Sequence, residues 1–90
     1  MDYKQIYHDS KTRDYDGNNE SFIGITVYEP DSYNFPFMFE YSRGNQYKDG
    51  GVKSKFDLKT FKPMNMAMAI REAINWIDCA EFEPLKEDRK

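Results

Sequence analysis

The chain has 90 residues, a formal net charge of −3 and a sequence pI of about 5.1, enough for one domain with a helical layer on a sheet and too acidic to recruit nucleic acid from a distance. A single cysteine, Cys79, excludes an internal disulfide and suits a reducing compartment. The opening MDYKQIYHDSK lacks the apolar run of a signal peptide and no stretch is long and apolar enough to span a bilayer, so the expectation is a soluble cytoplasmic protein with no membrane partner.

Residues 1–20 admit two readings. Tyr3, Ile6 and Tyr7 have helical spacing, while Tyr3, Gln5 and Tyr7 against Lys4, Ile6 and His8 would serve a strand. The following DSKTRDYDGNNES is polar, with Asp16-Gly17 as its sharpest bend. Ser21–Tyr28 is the clearest strand, with Ile23, Ile25 and Val27 on one face and Phe22, Gly24, Thr26 and Tyr28 on the other. Glu29-Pro30-Asp31-Ser32 is expected to break it. A second strand runs from Phe35 to Tyr41, with Phe35, Phe37, Phe39 and Tyr41 sharing a side. SRGNQYKDGG then reads as a polar loop. Val52–Leu58 reads as a third strand, with Val52, Ser54, Phe56 and Leu58 inward and Lys53, Lys55, Asp57 and Lys59 outward.

The one long helical period lies in PMNMAMAIREAINWIDCAEF, about residues 65–82. With about 100° per residue, Met66, Ala67, Ala69, Ile70, Ala73, Ile74, Ile77 and Ala80 fill one half of the wheel, with Trp76 at its edge. Asn65 is the expected N-cap and Pro84 the stop. Met64, Met68, Cys79 and Phe82 fall on the polar side, either as scattered surface residues or as a patch that meets a partner. The predicted architecture is therefore α+β: an antiparallel sheet of three to four strands, packed on one face by a C-terminal helix, in a single domain 1–90 with a tail 83–90 that frays. Its expected core is Ile23, Ile25, Val27, Phe37, Phe39, Phe56 and Leu58 beneath the helix.

Catalytic and metal chemistry find little footing. Asp14, Asp16, Asn18 and Glu20 alternate like the start of a calcium loop, but the glycine stands fourth rather than sixth and the twelfth residue is Ile25 rather than a glutamate. His8 and Cys79 are the only histidine and cysteine, too few for a zinc site, and no local signature supports a Cys–His nucleophile. No glycine loop leads into a helix to cradle phosphate. The expectation is no enzyme, no cofactor and no metal.

Two binding surfaces remain. Tyrosines with interleaved acids suggest a protein-binding surface, with Asp14, Tyr15, Asp16, Glu20, Tyr33, Tyr47, Met64 and Met68 as its candidates. The alternative is nucleic-acid binding by Arg43, Lys48, Lys53, Lys55 and Lys59 on an open sheet face, with Phe22 and Tyr28 for stacking. Against it, lysines on a half-exposed sheet also serve simply to guard its edge. The charge is uneven: residues 1–31 carry three bases and seven acids, and residues 32–62 six bases and three acids. A homo-oligomer through the open sheet face is a third possibility.

In layout, strands followed by one C-terminal helix resemble double-stranded-RNA-binding domains and three-stranded DNA-binding domains of the integrase and plant-factor type. The lysine-rich start of the RNA-binding helix is replaced here by PMNMAMA, so the specific residues do not carry over. In size, acidity and want of motifs the chain resembles the small inhibitor proteins of phages and mobile elements, including anti-CRISPR proteins. That likeness implies a protein partner in a host nucleic-acid-processing system.

Overall fold

The computed structural model describes residues 2–14, 20–32, 34–46 and 52–82, with 52–56 described by backbone pairing alone. The elements in order are β1 (Tyr3–Asp14), β2 (Glu20–Pro30), β3 (Phe37–Gln46), β4 (Val52–Lys62) and α1 (Met66–Cys79). The strands form one antiparallel meander in the order β1-β2-β3-β4, and α1 packs on the face of β2 and β1. The N-terminal segment is thus a strand, and the sheet has the four strands of the upper expectation.

The first hairpin explains why the ambiguous N-terminus is extended. Tyr7 pairs with Val27, Asp9 with Ile25 and Lys11 with Ile23, so the strongest apolar strand templates it. The register slips between Gln5 and Tyr7, leaving Ile6 as an extra residue. That bulge lets two successive side chains, Ile6 and Tyr7, both pack against the core.

Two polar segments, one of them expected as a loop, are strand. Asp9–Asp14 continues β1, and Ser42–Gln46 continues β3. Both are polar, but each pairs with the Glu20–Ile25 half of β2, and the ladder holds them extended. Ser21 and Asn45 stand opposite each other with no exposed surface, and the Ser21 hydroxyl donates to Asn45 Oδ1. β2 likewise runs through Pro30, and the next residue, Asp31, donates its N–H to Asp2 O at 2.9 Å. Phe35 precedes β3 and is 50 % exposed, so it does not share the buried side of Phe37, Phe39 and Tyr41.

The core comprises Ile23, Ile25 and Val27 of β2, Phe37, Phe39 and Tyr41 of β3, and Ala69, Ala73 and Ile77 of α1. Each large member contributes about 1.5–3 kcal/mol by leaving water. The helix begins where expected: Asn65 is extended at φ −90°, ψ 170°, and its side chain accepts the Met68 N–H at 2.8 Å. It ends at Cys79, earlier than expected, with Ala80 extended. Phe82 then turns back to the sheet, where Lys11 Nζ and Arg13 Cζ stand 5.6 Å and 5.0 Å from its ring centre. The tail 83–90 lies outside the described residues.

Two packing expectations are corrected. Met66, Ala67 and Ile74, placed on the buried arc by the wheel, are exposed. The helix seats on Ala69 and Ala73, where small side chains allow the closest approach, and this turns the far flank of the apolar arc to solvent. Leu58, expected under the helix, is 44 % exposed although its cross-strand neighbour Tyr41 is buried. Lateral placement explains this: α1 lies mainly over β2 and β1 and leaves Leu58 of β4 uncovered. The side chain of Phe56 lies outside the described residues.

Candidate functional site

The uncovered part of the helix-side face is a groove. Its floor is Tyr41 and Leu58, which pair across β3 and β4, flanked by Arg43, Thr60 and Lys62 at alternate positions of the same strands. Its wall is Trp76, whose ring lies 4.9 Å from that of Tyr41 at 58°. These residues enclose about 330 Å³. Beyond Trp76 a second depression of about 480 Å³ continues along the helix, lined by Met64, Met68, Arg71, Glu72 and Asn75.

A polar bridge joins the two hollows. Lys62, the last residue of β4, donates to Glu72 Oε1 at 3.1 Å, and its ammonium stands 5.7 Å from the Phe39 ring centre. The hydrogen bond to Glu72 raises the Lys62 pKa above its ordinary 10.5, against the opposing effect of burial. The site is therefore apolar at its floor and wall, with Arg43, Lys62, Arg71 and the single acid Glu72 around it. Such a surface offers burial and charge-assisted hydrogen bonds. Among the described residues no group of three or more His, Cys, Asp or Glu side chains could hold a metal ion, and no helix is long and apolar enough to cross a membrane.

The opposite face of the sheet is open and carries cross-strand polar pairs. His8 Nδ1 and Thr26 Oγ1 are 2.9 Å apart. The Tyr28 hydroxyl donates to Glu40 Oε1 at 3.0 Å, and Lys59 Nζ lies 3.8 Å from Glu40 Oε2. Burial first, then the hydrogen bond and charge of Glu40, raises the Tyr28 pKa above 10.0. Gly24 sits on this face where a Cβ would come within 3.1 Å of Ser42 Oγ.

The sequence-derived candidates fall in different places. Asp14 and Glu20 face each other across the end of the β1–β2 hairpin, both exposed. Met64 is half-buried and packs against the core, Met68 is 56 % exposed, and both line the second depression. The acids and the methionines belong to opposite ends of the sheet: Glu20 pairs with Gln46 at one end of β3, whereas Lys62, two residues before Met64, pairs with Phe37 at the other. That separation is about 30 Å of strand. Tyr15, Asp16, Tyr33 and Tyr47 lie outside the described residues. Of the basic set, Lys59 is on the open face and Arg43 on the helix-side face, so those two do not form one patch. Lys48 lies outside the described residues, and so do the side chains of Lys53 and Lys55.

No known protein family, curated protein or solved structure matches the chain.

In the sequence Leu58 reads as core, Tyr41 as sharing the side of Phe37 and Phe39, and Trp76 as the edge of the helix's apolar arc. Alternation marks which residues share a sheet face, but not how far along the sheet a covering helix reaches.

Proposed function

We propose that this protein is a non-enzymatic binding module whose partner is another protein, docked in the groove beside Trp76. The observation that carries the reading is Leu58, 44 % exposed on an apolar sheet face otherwise buried at Tyr41. An aliphatic or aromatic side chain of the partner would fill the space over Leu58, and an adjacent carboxylate would meet Arg43 and Lys62. Small size, acidity and the want of a catalytic constellation support a narrower form: an inhibitor, carried by a phage or mobile element, of a host nucleic-acid-processing protein. In that form Asp14 and Glu20, exposed at the far hairpin end, supply contact with a basic surface.

The test is capture of partners from lysate of the native host with the wild-type chain, Leu58→Lys, and Asp14→Asn with Glu20→Gln. Loss of the same specific protein from the Leu58→Lys sample supports the groove, while a salt-sensitive loss with the acid variants supports the narrower form. A captured protein indifferent to Leu58→Lys refutes docking in the groove. Nucleic-acid binding has less support, because Lys59 and Tyr28 both engage Glu40 and Arg43 belongs to the other face. A wild-type chain that shifts no oligonucleotide at low salt disposes of it.

A further inference from the structure

The sheet has two edges, and they differ. β1 is interrupted by its bulge at Ile6, and Phe82 packs beside its far half. β4 is the last strand of the sheet, away from the strands that α1 covers. Its ladder with β3 is unbroken from Ser54 to Lys62, with the irregularity confined to the residues just before. Asp57, Leu58 and Lys59 are all exposed at the middle of this run. A long regular edge with unpaired backbone groups is a template for another strand.

We propose that the occupant of this edge is a second copy of the chain, paired antiparallel through β4 about a two-fold axis at Leu58. Residue types along β4 select that centre. A two-fold perpendicular to the sheet sets each residue opposite one of its own face. Centred on Lys55 or Lys59, the axis sets that lysine against its own copy. Centred on Phe56 it opposes Lys53 and Lys59, and centred on Asp57 it opposes Lys55 and Lys59. Centred on Thr60 or Phe61 no lysine meets a lysine, but pairing within β4 shrinks to five residues or three and no opposite charges meet; centred on Leu58, the longest such pairing, Lys59 meets Asp57, Lys55 meets Phe61, and Lys62 meets Ser54. Pairing then spans the unbroken run from Ser54 to Lys62 and stops short of the irregularity. The two exposed leucines stand side by side on the helix-side face, and Asp57 and Lys59 form two symmetric opposite-charge pairs on the open face.

The same axis keeps both helices on one side of a continuous eight-stranded sheet. The bare helix-side strips of the two copies, each with its Leu58 and Tyr41, become one floor between two helices. The dimer does not depend on that floor binding anything.

The experiment is light scattering and sedimentation of the wild-type chain, Asp57→Lys, Lys59→Asp, and an equimolar mixture of the two variants, across the micromolar range, with circular dichroism to compare their folds. The expected result is a wild-type dimer weakened about tenfold or more by either substitution. Mixing the variants restores it as a heterodimer, because the lysines of one chain then face the aspartates of the other. A wild-type chain monomeric throughout overturns the proposal. So does a dimer that survives both single substitutions, or weakened variants that mixing fails to rescue. None of these variants alters Leu58 or Trp76, so loss of the dimer and loss of groove binding are separable.

Discussion

The Trp76 ring stands 4.9 Å from the Tyr41 ring and inclined by 58°, which joins the outer flank of the helix to β3. Ala69 and Ala73 bring the helix close to the sheet, but they hold little volume against it. Trp76 supplies the lateral anchor and at the same time walls the groove.

Trp76→Ala is expected to destabilise the fold by about 2–3 kcal/mol, below the range for a fully buried tryptophan because Trp76 is only half-buried. Trp76→Phe should recover part of that. Urea unfolding followed by circular dichroism reads both, and an unchanged midpoint for the alanine variant would show that the helix is held elsewhere.

Asn65→Ala removes the acceptor of the Met68 N–H and should cost about 1 kcal/mol, while Asn65→Asp should be nearly neutral or slightly stabilising, since an acid is favoured at a helix start. The helix has no acidic residue in its first turn, so nothing nearby substitutes for the cap. For a domain of this size the alanine variant should lower Tm by about 4–8 °C.

Ser21 and Asn45 are fully buried and hydrogen-bonded across β2 and β3. Asn45→Ala and Ser21→Ala should each cost about 1–3 kcal/mol, because each removes a hydrogen bond made out of water. The double variant should cost less than the two together, since both single variants remove the same hydrogen bond. Strict additivity in a double-mutant cycle would contradict this account.

Stability should fall on the alkaline side. Burial raises the Tyr7 pKa, helped by Asp9 and Asp78; burial and Glu40 raise that of Tyr28; the hydrogen bond to Glu72 raises that of Lys62. In each case the folded state holds its proton more tightly than the unfolded chain. The contribution is therefore fully present below the ordinary values of 10.0 for tyrosine and 10.5 for lysine, and it is lost as pH rises through the folded ones. Urea midpoints should drop from pH 8 to pH 11, and less steeply in Tyr28→Phe. An equal drop in that variant would remove Tyr28 from the explanation.

Residue pattern alone marks which side chains can be inside. Alternation of Ile23, Ile25 and Val27 and of Phe37 and Phe39 marked the buried face, and Asn65 before MAMAIREAI marked the helix start, because both signals are local and repeat with the period of the backbone. It did not determine the strand ends. Asp9–Asp14 and Ser42–Gln46 are polar and carry no such period; they are extended because β2 lies between them and pairs with both. Nor did it determine which flank of the helix would be buried or what would stay bare. The wheel offered a wide apolar arc, and only the fit of Ala69 and Ala73 against β2 and β1 chose part of it. That choice left Leu58 uncovered and set Trp76 over Tyr41. The candidate site is therefore a product of helix placement, a tertiary quantity, because a groove is defined by what the neighbouring layer fails to cover.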